Sequence, residues 1–263
     1  MKQSKQPLIS VVMAVYKPNR AFFEQQVESL ASQTLQDFEL LICDDSADDG
    51  ETTAYARSIC LRFFDESRFR IWTNPTNQGS DLSFAKLTQV AQGTYIAYAD
   101  QDDIFADDKL ECLAPLLEDA VLAYSNIVLI DGDGRLISPS IHRKKKRYVA
   151  FSGRDLYRQL LYRNFITGCG MIIRADIAKA SLPIVKGFVH DHWLALYAST
   201  QGAFAYCDKP LTQYRLHERN QIGLGTLSGV SDRPSYIQNR LLPERDRMQR
   251  ADRKSTRLNS SHT

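Results

Sequence analysis

Residues 8–16 read LISVVMAVY, an apolar stretch rich in valine that no charge interrupts. A run of that kind belongs to a strand buried on both faces. Residues 20–32 follow with Phe22, Phe23, Val27, Leu30 and Ala31 at helical spacing. Residues 38–43 (FELLIC) read as a second strand, 51–64 as a helix, 69–72 as a third strand, 81–91 as a third helix and 95–99 (YIAYA) as a fourth strand. Strands and helices alternating at this spacing require a parallel sheet covered on both faces. Crossovers of that length are right-handed, so the expected fold class is α/β with an open, doubly wound sheet.

Beyond residue 105 the pattern is less regular. Residues 109–117, 154–162 and 191–199 read as helices, and 121–124, 171–174 and 203–207 as short strands. Residues 128–130 and 135–137 flank Asp131-Gly132-Asp133-Gly134 and predict a hairpin, because Asp-Gly is a strong turn signal. The same segment is not a calcium loop. Counted from Asp131, its sixth position is Leu136 where glycine is needed, and its twelfth is His142 where glutamate is needed. No internal repeat is present.

Composition bounds the function. The 263 residues are 43% hydrophobic and 24% charged, enough for one large domain or two small ones. A net charge of +2 excludes a domain built around a large electrostatic footprint on nucleic acid. It also excludes a chain kept unfolded by like charge. No run of eighteen apolar residues marks a membrane-spanning helix. The polar first six residues lack the features of a signal peptide, so a cytoplasmic location is expected. Cys43, Cys60, Cys112, Cys169 and Cys207 are scattered without a CxxC pair, as reduced thiols are.

Residues 252–263 (DRKSTRLNSSHT) resemble the translation of a sequencing-adapter oligonucleotide and are expected to be non-native; the other reading is a polar, disordered tail. The tail carries Arg253, Lys254 and Arg257 against Asp252, so without it the chain is formally neutral.

In an open parallel sheet, ligands bind beyond the carboxyl ends of the strands. Tyr16-Lys17-Pro18 follows the first strand and Asp44-Asp45-Ser46-Ala47-Asp48-Asp49-Gly50 the second. Asn74 and Asn77-Gln78-Gly79-Ser80-Asp81 follow the third, and Asp100-Gln101-Asp102-Asp103 the fourth. None of these turns contains GxGxxG or a P-loop, which argues against a standard dinucleotide or P-loop site. Asp48, Asp49, Asp107 and Asp108 are read as turn and cap residues. Asp100, Asp102 and Asp103 exceed what capping requires. Carboxylates held this close repel unless a cation lies between them, and oxygen ligands with room for a diphosphate favour Mg²⁺ or Mn²⁺.

Taken together, ISVVMAVYKP, LLICDDSADDG, NQGSDLSFAK, GTYIAYADQDDIF, HDHW and YRLHERNQIG resemble, in order and spacing, the family 2 glycosyltransferases of the GT-A fold, over residues 8–223. DQDDIF, HDHW and the YRxH segment most resemble bacterial rhamnosyltransferase-like members, which build surface polysaccharides. The resemblance implies a doubly wound, mostly parallel sheet with a smaller antiparallel portion on the acceptor side. A catalytic domain is expected over 1–225, followed by an Arg-rich, helical segment over 226–251 that the non-native tail cuts short. It also implies nucleotide binding by Val15 and Tyr16 at the base pocket, by Asp44 and Asp45 on base and ribose, and by Gly79, Lys86 and Asp100. Asp102, Asp103 and His217 are implied as holders of Mg²⁺ or Mn²⁺ at the diphosphate, and Asp191 as the general base. Two positions depart from the family: His190-Asp191 stands where ED is usual, and Ala47 where DDxS has serine.

The activity so implied is inverting transfer of a sugar from a nucleotide-sugar donor, dTDP-rhamnose among the candidates, to a glycan or lipid-linked acceptor. A metal-dependent nucleotidyltransferase is the alternative enzyme, but it would carry a basic, glycine-rich loop where Tyr16-Lys17-Pro18-Asn19 stands. A non-catalytic sugar-nucleotide binder would lack the base or metal carboxylates. The run Arg143, Lys144, Lys145, Lys146 and Arg147 reads either as a solvated loop or as a peripheral contact with anionic lipid on the inner face of the membrane. It is isolated and lacks interleaved aromatics, so nucleic acid is not expected as a partner.

Overall fold

A computed structural model describes residues 6–144 and 149–217. Its strands are β1 (Ile9–Val15), β2 (Phe38–Asp44), β3 (Phe69–Thr73), β4 (Tyr95–Ala99), β5 (Ile104–Phe105), β6 (Leu122–Ile130), β7 (Leu136–Ser138), β8 (Met171–Arg174) and β9 (Phe204–Arg215). The helices are α1 (Arg20–Ala31), α2 (Glu51–Phe63), α3 (Ser80–Val90), α4 (Lys109–Leu113), α5 (Ile141–Lys144), α6 (Tyr157–Tyr162), α7 (Ala175–Ala180) and α8 (His190–Ala198). The strands form one sheet in the order β3-β2-β1-β4-β8-β6-β9-β5, with β7 added on β6. The first four in this order are mutually parallel. Beyond β4, β8 runs antiparallel to both β4 and β6. The sheet is therefore parallel on the side of β1 and mixed on the other, as the resemblance implies.

Side chains alternate across the sheet, which explains the unbroken apolar run of β1. Val11, Met13 and Val15 pack with Phe23, Val27 and Leu30 of α1 and with Ala56, Ile59 and Cys60 of α2. Val12 points the other way, into a core with Phe84 and Leu87 of α3 and Leu194, Ala195 and Ala198 of α8. Both faces are buried, so neither needs a polar residue. Asn19 caps α1, its side chain accepting from the backbone N–H groups of Ala21 and Phe22.

Several boundaries differ from the sequence expectation. The helix expected over 109–117 ends at Leu113 and continues as a 3₁₀ turn, Ala114–Glu118, because Pro115 cannot donate an amide to the helix. The strands expected at 121–124 and 128–130 are one strand, β6. Ser125 and Asn126 interrupt its apolar pattern, and the pairing with β9 shifts register there. The strand expected at 203–207 runs on to Arg215, and Pro210, which has no N–H to give, lies at that register shift. Strand β5 and helices α5 and α7 have no counterpart in the sequence expectation, and α5 takes in Arg143 and Lys144, which read as loop. Residues 226–251, the tail 252–263, and Lys145, Lys146 and Arg147 lie outside the described residues; Arg143 is exposed.

Candidate active site

The carboxyl ends of β1, β2 and β4 are tied together by side chains. The Tyr16 amide donates to Gln101 Oε1 at 2.8 Å, and Gln101 Nε2 donates back to the Tyr16 carbonyl at 3.2 Å. The Lys17 amide donates to Ser46 Oγ at 2.9 Å. Val15 is fully buried, whereas Tyr16 is 47% exposed and lies open at this edge.

Asp44 and Asp45 are both buried and both bound within the protein. Asp44 accepts from the Ser46 amide at 2.9 Å and from Thr53 Oγ1 at 2.6 Å. Asp45 accepts from Asn74 Nδ2 (2.8 Å) and from the amides of Gln78 (2.8 Å) and Gly79 (2.7 Å). Gly79 has φ +88°, a conformation that glycine adopts without strain, and it leads into α3. Lys86, one turn and a half into α3, donates to Asn74 Oδ1 at 3.1 Å. Asp45, Asn74, Gly79 and Lys86 are thus one network that shapes the loop after β3.

The loop after β4 gathers the acidic residues. Carboxylate oxygens of Asp100 and Asp103 and the Cys169 sulfur lie within 4.8 Å of one another. Burial, reinforced by Asp102 and opposed by His190, pushes Asp100 up to about 6. Burial and the neighbouring Asp100 and Asp102 hold Asp103 well above the usual carboxylate range. Asp103 Oδ1 accepts the Arg215 amide at 3.0 Å, while its buried Oδ2 has no hydrogen-bond donor. Asp102 Oδ2 lies 2.6 Å from His217 Nε2. A buried carboxylate oxygen without a donor, beside further carboxylates, is a set that Mg²⁺ or Mn²⁺ fits. Burial raises the Cys169 thiol well above its ordinary value, and the charges of Asp103 and Asp100 add to this.

Asp191 enters from the antiparallel half, in the first turn of α8. Its Oδ2 accepts the Gly168 amide at 3.1 Å, and its Oδ1 accepts Asn164 Nδ2 at 3.1 Å and the His192 amide at 2.6 Å. It stands close enough to Asp100 to raise that group further. His190 beside it stacks on Phe84 with centroids 4.1 Å apart, and its amide donates to Asp81 at 2.9 Å. Burial alone would lower the His190 imidazole; the Asp81 hydrogen bond and the charges of Asp191 and Asp100 more than offset it, so its pKa lies above the ordinary value.

Sequence reasoning missed three parts of this site. One is the turn Gly168–Gly170, which carries Cys169 to the acidic cluster and Gly168 to Asp191. A Gly-Cys-Gly segment directly before an apolar strand was the available signal. The others are Lys109 and Arg215, both buried beneath the cluster. A Cβ at Gly168 would lie 2.8 Å from His190 Nε2 and 3.5 Å from the Asp191 Cβ. The imidazole is only 12% exposed and is stacked on Phe84, so it has little room to retreat. Gly168→Ala is therefore expected to displace the start of α8, costing about 1–3 kcal/mol of stability and about tenfold or more in kcat. Thermal unfolding and steady-state kinetics check this; unchanged kcat would contradict it.

A parallel half with carboxylates at its strand ends, facing an antiparallel half that brings in one more, defines a glycosyltransferase of the GT-A type. Residues 10–180 match the family described as "Glycosyl transferase family 2", and the chain belongs to that family. Among curated relatives, a UDP-Glc:α-D-GlcNAc-diphosphoundecaprenol β-1,3-glucosyltransferase, WfgD, of Escherichia coli is 24% identical over 222 residues, covering 80% of this chain and 78% of WfgD. A putative teichuronic acid biosynthesis glycosyltransferase, TuaG, of Bacillus subtilis is 29% identical over 218 residues, covering 80% and 79%. The crystal structure of S. aureus TarS residues 1–349 in complex with UDP-GlcNAc superposes with a TM-score of 0.61 at 15% identity, covering 89% of this chain and 65% of that one. At that identity the likeness shows the fold alone.

Proposed function

We propose that this chain is an inverting glycosyltransferase that moves a sugar from a nucleoside-diphosphate donor to a glycan or lipid-linked acceptor in bacterial surface polysaccharide synthesis. One observation carries the reading: the Asp191 carboxylate, fixed by three donors, stands across from the carboxylates that follow β4. In this mechanism Asp191 takes the proton of an acceptor hydroxyl while that oxygen attacks the anomeric carbon. The bond from the anomeric carbon to the diphosphate oxygen breaks, and the nucleoside diphosphate leaves from the opposite face. A divalent cation, when bound, supplies Lewis-acid stabilisation of the leaving group. Asp102, Asp103 and His217 would hold it. Tyr16, Asp44, Asp45, Lys86 and Asp100 border the nucleotide, with Val15 behind them. The WfgD name pairs a UDP-sugar with a lipid-diphosphate acceptor, which supports the donor and acceptor classes. The rhamnosyltransferase-like motifs make dTDP-rhamnose the first donor to test. No helix among the described residues is long and apolar enough to cross a membrane. The basic run at 143–147 would meet anionic lipid at the inner membrane face.

The test is a donor panel of dTDP-rhamnose, UDP-glucose, UDP-galactose and GDP-mannose, scored by nucleoside diphosphate release with Mg²⁺, Mn²⁺ or EDTA. One donor is expected to turn over, and EDTA to abolish its turnover. Release from no donor under any metal condition overturns the proposal; full turnover in EDTA overturns the metal role.

A further inference from the structure

Lys109, the first residue of α4, is fully buried, a placement that costs heavily unless the ammonium is paired. Its Nζ donates to the Cys169 carbonyl and, at 3.0 Å, to Thr212 Oγ1. It also lies 3.2 Å from the centroid of the Phe105 ring, on its face. Thr212 Oγ1 in turn donates to the same Cys169 carbonyl at 2.9 Å. Cys169 is thus gripped through its carbonyl by Lys109 and Thr212, and its sulfur sits with the carboxylates of Asp100 and Asp103. Burial drives Lys109 down to about 7, and Asp103 and Asp100 are the carboxylates that oppose this. Among the described residues no carboxylate hydrogen-bonds Lys109; the pairing acts through space across the Cys169 turn.

We propose that Lys109 is the built-in counter-cation of the acidic cluster, and that it makes divalent-metal binding depend on the nucleotide diphosphate. This rests on the reading that the cluster holds the metal. Half-buried Asp100 and buried Asp103, the second of which would also hold the metal, present less negative charge with one ammonium beneath them than they would alone, so a bare divalent ion is held weakly. The diphosphate restores the missing negative charge, and metal and donor enter together. Lys109 touches neither donor nor acceptor; it is a positioning residue acting through Asp100 and Asp103.

Mn²⁺ binding, read by electron paramagnetic resonance with and without UDP or dTDP, tests this on the wild type, Lys109→Gln and Lys109→Arg. Glutamine keeps a donor for the Cys169 carbonyl and drops the charge. In the wild type, the diphosphate is expected to tighten Mn²⁺ binding at least about tenfold. In Lys109→Gln, Mn²⁺ alone is expected to bind about tenfold tighter than in the wild type, and the gain from the diphosphate to shrink. Lys109→Arg is expected to stay near the wild type. A residue that served only as packing would leave Mn²⁺ affinity unchanged or weaken it, and either result for Lys109→Gln overturns the proposal. Should that variant not fold, equal Mn²⁺ affinity of the wild type with and without diphosphate overturns it as well. Wild-type protein that binds Mn²⁺ under neither condition sinks the metal reading itself, a result distinguishable from a failure confined to Lys109.

Discussion

Asp191→Asn is expected to lower kcat by about 10²–10⁴-fold, the range that a positioned general base contributes, while the dissociation constant of the nucleoside diphosphate stays within about twofold. The substitution is nearly isosteric, but an amide cannot accept the acceptor's proton. The edge with Asp44, Asp45 and Lys86 is organised by hydrogen bonds of its own, none of which goes to Asp191. Both oxygens of Asp191 accept from N–H donors, so an asparagine NH₂ faces a donor whichever way it turns. A loss of about 1–3 kcal/mol of stability should accompany the loss of turnover. Calorimetric titration with UDP and dTDP, beside single-turnover assays, separates the effects. Near-normal turnover would remove Asp191 from the base role; loss of nucleotide binding in step with kcat would show that α8 shapes the whole site instead.

The part of the fold that could be read from sequence is the part where local pattern and burial agree. Strands β1, β2 and β4 are covered on both faces, so their apolar runs are unbroken, and α1 shows its buried stripe at helical spacing. The antiparallel half hides its signals. Strand β6 contains Ser125 and Asn126, whose polarity marks a loop in sequence. In the fold, Asn126 Oδ1 accepts the Ile127 amide and Ser140 Oγ, which offsets its burial. Strand β9 contains Asp208, Lys209 and Pro210, and only its pairing with β6 and β5 defines it as a strand.

The candidate site divides in the same way. Its carboxylates stand out because the ends of parallel strands are where ligands bind, and clustered aspartates there are conspicuous. The residues that hold them are not conspicuous. Lys109 follows two aspartates in DDKLE and looks like a solvated helix start, yet it is fully buried. In sequence Asp44 and Asp45 read as nucleotide residues; their bonds to Thr53, Asn74 and Gly79 give them a second task, holding the loops after β2 and β3. That second task depends on contacts up to 34 positions apart in the chain, which no local motif encodes.

Arg215 supplies the other large expected effect. Its side chain is 1% exposed. Nε donates to the Asp102 carbonyl at 2.9 Å, one terminal nitrogen reaches the carbonyls of Asp131 (3.3 Å) and Gly132 (3.4 Å), and the other donates to Gln25 Oε1 at 2.6 Å. The guanidinium stacks on Phe22 at 4.3 Å. It therefore joins α1, the loop after β4 and the β6–β7 hairpin at the end of β9. Arg215→Met keeps most of the aliphatic volume and removes every one of these donors. Buried acceptors left without partners, beside carboxylates that lose a nearby cation, should cost about 3–5 kcal/mol. For a domain of this size that lowers Tm by roughly 6–20 °C. Arg215→Lys should recover only a minor part, because a single ammonium cannot reach carbonyls on three segments as a planar fork does. A Tm within about 2 °C of the wild type would show that Arg215 is dispensable. The effect should reach the chemistry too. Asp102 is held by its carbonyl through Arg215 and by its carboxylate through His217, two residues further along the same strand end. Releasing the first hold leaves the second to position the carboxylate alone, so Mn²⁺ affinity in the presence of UDP should fall together with Tm in Arg215→Met.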